Sequence, residues 1–96
     1  MIVEWAKEAL FDVERLYLFL AAFDIDAATR VAVRLESAPD RLLGHPRIGA
    51  RLDGFNPREV RRIIVGKYEM RYEILGDVIY IIRVWHSRED RSFAAT

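Results

Sequence analysis

Cysteine is missing from all 96 residues. That excludes a disulfide framework and a thiolate metal site, and it fits a reducing compartment. No apolar run approaches the roughly 20 residues of a membrane-spanning helix. Glu4, Lys7 and Glu8 interrupt the apolar start that a secretory leader requires. A soluble, cytoplasmic protein without membrane contact is therefore expected. Net charge is missing too: fifteen Lys/Arg balance fifteen Asp/Glu, which argues against a bulk electrostatic binder of nucleic acid and against direct DNA binding. The chain carries no nucleotide-binding loop, zinc-ligand spacing or nucleophile triad. His45 and His86 lie far apart, neither near a second ligand at a recognised spacing. No cofactor and no metal are expected, and His45, ahead of Pro46, reads as structural.

What is present is enough apolar material for one core. Hydrophobic residues make up 52% of the chain, and its length suits a single domain over residues 1–96. The charge is unevenly placed. Residues 1–43 hold five Lys/Arg against eight Asp/Glu, and residues 44–96 hold ten against seven. An acidic first half and a basic second half suggest one polar face for an anion or an acidic partner, with ordinary solvated charge as the alternative.

The hydrophobic period changes along the chain. Ile2 and Val3 favour a short first strand. Ala6, Leu10, Val13, Tyr17 and Leu20 then recur at intervals of three and four, the stripe of an amphipathic helix, with Phe11, Leu18 and Ala22 as a second apolar edge. Asp24 and Asp26 are candidate N-caps for a second helix striped by Ala28, Val31, Leu35 and Ala38, with Leu42 continuing it. Pro39 should kink or end that helix, and the short connection predicts an antiparallel helical hairpin. Gly44 to Pro57 reads as a long surface loop. Strands are predicted near Glu59–Val65, Tyr68–Leu75 and Val78–Val84, joined at Gly66-Lys67 and Gly76-Asp77, where glycine supplies the positive φ of a tight hairpin. The middle strand alternates Tyr68, Met70, Tyr72 and Ile74 with Glu69, Arg71 and Glu73. The last is apolar on both faces except at Arg83, which places it inside the sheet with Ile79, Ile81 and Ile82 largely buried. The expected fold is α+β in the order β-α-α-β-β-β, the helical hairpin covering one face of a small, mainly antiparallel twisted sheet.

One constellation could carry chemistry. Arg61 or Arg62, Arg71, Arg83 and His86 come from successive strands and could converge on the exposed face. Guanidinium groups bind phosphate bidentately, and a histidine could transfer the proton that RNA cleavage by a 2′-hydroxyl requires. Glu69 and Glu73 are possible bases. Cross-strand ion pairing of the same arginines with these glutamates is an equally simple reading.

In order and motif the chain resembles the RelE/ParE superfamily of toxin–antitoxin toxins. The resemblance spans nearly the entire chain. It rests on the short first strand, the helical hairpin with Ala27-Ala28, the loop His45-Pro46-Arg47-Ile48-Gly49, the strand Tyr68–Ile74 and the ending Ile82-Arg83-Val84-Trp85-His86, followed by Arg88 and Asp90. The Arg-Val-x-His ending is similar to that of the ParE group, whose members poison DNA gyrase. The RelE group, ribosome-dependent messenger-RNA endonucleases, implies the alternative, with His86, Arg83, Arg71 and Arg61 as its catalytic set. This chain has Ser87 after His86, no tyrosine in the tail and no lysine-rich surface, departures from that group. The resemblance implies the toxin of a type II module of the plasmid-stabilising kind. Such a toxin inhibits gyrase by binding and forms a hetero-oligomer with a ParD-like antitoxin. A domain that has lost toxicity and only titrates an antitoxin is a third reading. Phe11, Leu18 and Phe19 are the expected antitoxin-docking edge, with core burial as the alternative, and Arg88 and other basic side chains of the second half are expected to meet antitoxin carboxylates.

Overall fold

The computed structural model describes residues 1–89; Asp90, which closes the ending on which the resemblance rests, lies outside them. Eight elements follow one another: β1 (Ile2–Trp5), α1 (Lys7–Ala21), α2 (Ile25–Ser37), α3 (Asp40–Gly44), β2 (Ala50–Arg51), β3 (Glu59–Val65), β4 (Tyr68–Leu75) and β5 (Val78–His86). The five strands form one sheet in the order β1-β5-β4-β3-β2. β1 runs parallel to β5, and every other pairing is antiparallel. None of the described helices is long and apolar enough to cross a membrane.

Local chemistry explains most boundaries. The Asp24 carboxylate caps α2 by accepting from the Ala27 amide at 3.1 Å, satisfying a donor that the first helical turn leaves free. α2 ends at Ser37, two residues before Pro39, and Leu42, predicted to continue it, lies on the separate α3 with no exposure. Gly66 and Gly76 both adopt φ 61° at the two hairpin tips. The segment read as a surface loop contains a strand: Ala50 and Arg51 pair with Arg62 and Arg61 and extend the sheet past β3.

The helices cover one face, and the core lies between them and the sheet. Ala9, Val13 and Leu16 of α1 meet Leu35 and Ala38 from the second helical segment, together with Ile63, Val65, Met70, Tyr72, Ile74, Ile79, Ile81 and Val84 from the sheet. The face of α1 differs from the expected stripe. Leu10 is 54% exposed, whereas Ala9, Asp12, Val13 and Leu16 are buried. The helix is thus turned by about a quarter turn from the predicted orientation. Ile79 and Ile81 are fully buried as expected, but Ile82 is only half-buried. Arg71 sits opposite Arg83 and Tyr72 opposite Ile81, so Ile82 is the extra residue of a β-bulge.

Candidate functional site

The cross-strand register decides which cations can act together. Arg62, Arg71 and Arg83 occupy directly opposed positions on β3, β4 and β5. Since Met70 and Tyr72 face the helices, strand alternation puts this row on the opposite face. Arg61 lies opposite Tyr72 and His86 opposite Tyr68, so both belong to the helix side. The structure therefore brings Arg71 and Arg83 together and separates Arg61 and His86 from them.

Each of these groups already has partners. Arg83 grips both oxygens of Asp12, at 2.8 Å through Nε and 3.0 Å through Nη2, across the edge of β5 that β1 leaves open. The hydrogen bond to Asp12 holds the Arg83 guanidinium above its ordinary pKa. Arg62 donates to Glu69 at 3.0 Å, and Arg71 lies 3.7 Å from the same carboxylate. The Arg71 guanidinium also sits 5.5 Å from the Phe55 ring and 4.6 Å from that of Trp85; Arg83 stacks on the same indole at 5.2 Å. With Arg58 over Phe55 at 5.8 Å and bonded to Glu73, a stack of alternating rings and guanidiniums crosses the outer face. His86 packs edge-on against Tyr68, and its Nδ1 accepts from the Arg88 amide at 3.1 Å.

Arg61 serves a second structure, the clasp on the His45–Gly49 loop. Its Nη1 donates to the Gly49 carbonyl at 2.7 Å and its Nε to Glu59 at 2.8 Å. Tyr72 Oη donates to the Pro46 carbonyl at 2.7 Å and accepts from the Gly49 amide at 3.0 Å. A Cβ at Gly49 would stand 2.5 Å from the Arg62 carbonyl oxygen and 2.6 Å from the Tyr72 hydroxyl. Gly49→Ala is therefore expected to destabilise the protein by about 1–3 kcal/mol in chemical denaturation, as overpacking of a fitted site does. Glu59, hydrogen-bonded by Arg47 and then by Arg61, has its pKa lowered. A depressed folded value stabilises above the unfolded glutamate value of about 4.3, and the benefit is lost as pH falls through the folded value. Stability should thus drop on acidification below about pH 4, and Glu59→Gln should flatten that drop in pH-dependent urea melts. His45 is exposed beside this clasp, and the described residues contain no cluster of three potential metal ligands.

The outer surface of the helices carries large apolar groups. Phe11, Leu18 and Phe19 are 56%, 58% and 68% exposed, which excludes core burial as the reason for them. Phe23 and Ile25 extend this surface around the hairpin turn, Phe23 edge-on to Phe19 with ring centres 5.8 Å apart. Arg88, the fourth expected docking residue, is exposed at the end of β5.

The family model described as "ParE toxin of type II toxin-antitoxin system, parDE" matches residues 3–91. The chain belongs to the ParE toxin family. Within the wider RelE/ParE superfamily it is similar to two Caulobacter vibrioides proteins. Toxin RelE2 is 33% identical over 85 residues, covering 88% of this chain and 93% of that one. Toxin RelE1 is 38% identical over 82 residues, covering 83% and 86%. Among solved structures, the chromosomal ParDE system from P. aeruginosa superimposes with a TM-score of 0.75 at 18% identity, over 90% of this chain and 95% of that one. The isolated E. coli RelE toxin gives 0.61 at 18% identity, over 97% and 90%. These two share the fold.

The toxin also uses residues that its sequence pattern did not point to. Asp12, Phe55 and Trp85 hold the arginine row in place, yet none stood out as a site residue. For Asp12 a signal existed: a carboxylate at three- and four-residue spacing from Ala9 and Leu16 occupies a core position and requires a buried cation.

Proposed function

We propose that this toxin acts in the cytoplasm by binding DNA gyrase, without turnover, and that a ParD-like antitoxin neutralises it in a hetero-oligomer. The observation that carries the reading is the separation of His86 from the arginine row by the thickness of the sheet. Cleavage at a 2′-hydroxyl needs a base and an acid at one phosphate, and Arg83 and Arg62 are already committed to Asp12 and Glu69. The match to the ParE family over residues 3–91 supports the same branch. Phe11, Leu18 and Phe19 are the proposed antitoxin anchors, with Arg88 at the rim; exposed aromatic and aliphatic groups of this size suit a segment that folds on binding.

The RelE names of the Caulobacter relatives favour a second reading, ribosome-dependent messenger-RNA cleavage. Expression without antitoxin separates the two. Gyrase poisoning should produce double-strand breaks and DNA-damage induction first, with translation falling later. Early cleavage of messenger RNA at codon positions with intact DNA, abolished by His86→Ala, would replace the gyrase reading with the ribonuclease. Unimpaired growth would indicate a non-toxic antitoxin-binding domain.

A further inference from the structure

Three exposed cations converge on the tip of the β3–β4 hairpin from three different places in the chain. Arg34 of α2 lies over the turn: a Cβ on Gly66 would stand 2.9 Å from its Nη1. Arg41 of α3 donates through Nη2 to the Ile64 carbonyl at 3.4 Å, two residues earlier on β3. Lys67 follows Gly66 in the turn itself, and its carbonyl accepts from the Ser87 amide at 2.9 Å, which brings the end of β5 alongside. Among the described residues none of these three cations is paired with a carboxylate. On the sheet the opposite holds, and Arg47, Arg58, Arg62 and Arg83 each have one. The acids of the neighbouring strands are taken: Glu69 is buried and bonded by Arg62, and Glu89 pairs with Arg15. Glu36 and Asp40, the exposed acids nearest in sequence on the helices, make no ion pair with any of the three.

We propose that this cationic tip lies against the phosphate backbone of the duplex that gyrase holds, so that the toxin recognises enzyme and DNA together. The inference rests on the gyrase reading and adds a second component to its target. Phosphate oxygens accept from guanidinium and ammonium donors, and these three groups have no carboxylate to give up first. Ile64 and Gly66 are two residues apart on one hairpin, which separates the anchor points of Arg41 and Arg34 by about 7 Å. Duplex DNA presents one charge per about 1.7 Å of its axis, so a row of that length spans several phosphates. The row is short, and the chain as a whole is neutral. Three contacts therefore favour a duplex already positioned by another surface and hold free DNA only weakly. Backbone contacts of this kind orient a protein on DNA without reading its sequence.

Binding of the full-length toxin to purified gyrase is measured with and without a linear duplex, between about 50 and about 200 mM salt. The duplex should tighten wild-type binding at low salt, and the gain should fade as salt rises. Arg34→Gln/Arg41→Gln/Lys67→Gln should bind gyrase alone like the wild type and lose the gain, roughly tenfold at the lowest salt. Its slope of log K against log salt on the gyrase–DNA complex should fall by about 2–3, about one for each phosphate contact. Lys67→Gln alone should lower the slope by about one, whereas Lys7→Gln, on the first turn of α1, should leave it unchanged. Melting temperatures confirm that each variant is folded. A duplex that adds nothing to wild-type affinity, or adds as much to the triple variant, would overturn the DNA contact and leave the gyrase reading standing. Loss of antitoxin affinity by the triple variant with its gain from DNA intact would overturn it too, and assign the cations to the antitoxin. Failure of the wild-type toxin to bind gyrase in either form would overturn both readings.

Discussion

Asp12→Ala should destabilise the toxin by roughly 3–5 kcal/mol, the cost of removing one partner from a buried ion pair. The Asp12 side chain is 4% exposed and that of Arg83 14%. Its oxygens accept from Arg83 at 2.8 and 3.0 Å, from the Val84 amide at 2.9 Å and from Arg15 at 3.1 Å. Alanine would leave a guanidinium and a backbone N–H without their acceptor at the uncovered edge of β5, where no strand can replace it. Urea unfolding should show a lower midpoint with an unchanged slope. Asp12→Asn should cost less, since an amide oxygen still accepts one of the bonds. Asp12→Leu with Arg83→Met should recover much of the loss, because a well-packed apolar pair removes the desolvation penalty together with the attraction. A loss below about 1 kcal/mol for Asp12→Ala would mean that water replaces the carboxylate at little cost.

Leu18→Glu should reduce antitoxin affinity by roughly a hundredfold while leaving the melting temperature nearly unchanged. Central apolar anchors commonly contribute more than 2 kcal/mol to binding, whereas an exposed substitution on a helix usually moves stability by less than about 0.5 kcal/mol. Leu18 is 58% exposed and outside the core cluster, so the two effects separate. Arg88→Ala should give a small loss that disappears at high salt, as rim charges do. Calorimetric titration of each folded variant checks both. Undiminished binding by Leu18→Glu would move the docking surface away from this edge of α1.

The sheet was legible in the sequence because its signals are local. Alternation across Tyr68–Leu75 fixes both faces of β4, and the glycines at 66 and 76 mark two tight turns. The parallel placement of β1 beside β5 was not legible, since pairing across 76 residues leaves no short-range pattern. The rotation of α1 was hidden for a related reason. Leu10 and Leu16 both fit a helical stripe, and the choice between them follows from Asp12, whose burial depends on an arginine 71 residues away. The arginines themselves were easy to single out. Their grouping was not, because the bulge at Ile82 shifts the phase of β5 and leaves no mark in the local pattern. Phe55 could not be assigned to the Arg71 stack from its setting in a glycine- and proline-rich loop.

The bulge at Ile82 makes β5 a strand of two phases. Ahead of it, odd-numbered Ile79 and Ile81 point to the helices; past it, even-numbered Val84 does, and Arg83 and Trp85 go to the far side. Pairing without the bulge, with Ile82 opposite Arg71, would restore simple alternation in the unaltered chain, turning Trp85 and Arg83 inward and Val84 outward. Both the Asp12 pairing and the ring–guanidinium stack would be lost together, although no residue that forms them had been altered. The far face of the sheet is therefore set by a change of phase as much as by its residues, and deletion of Ile82 itself should leave Arg83 and Trp85 on that face.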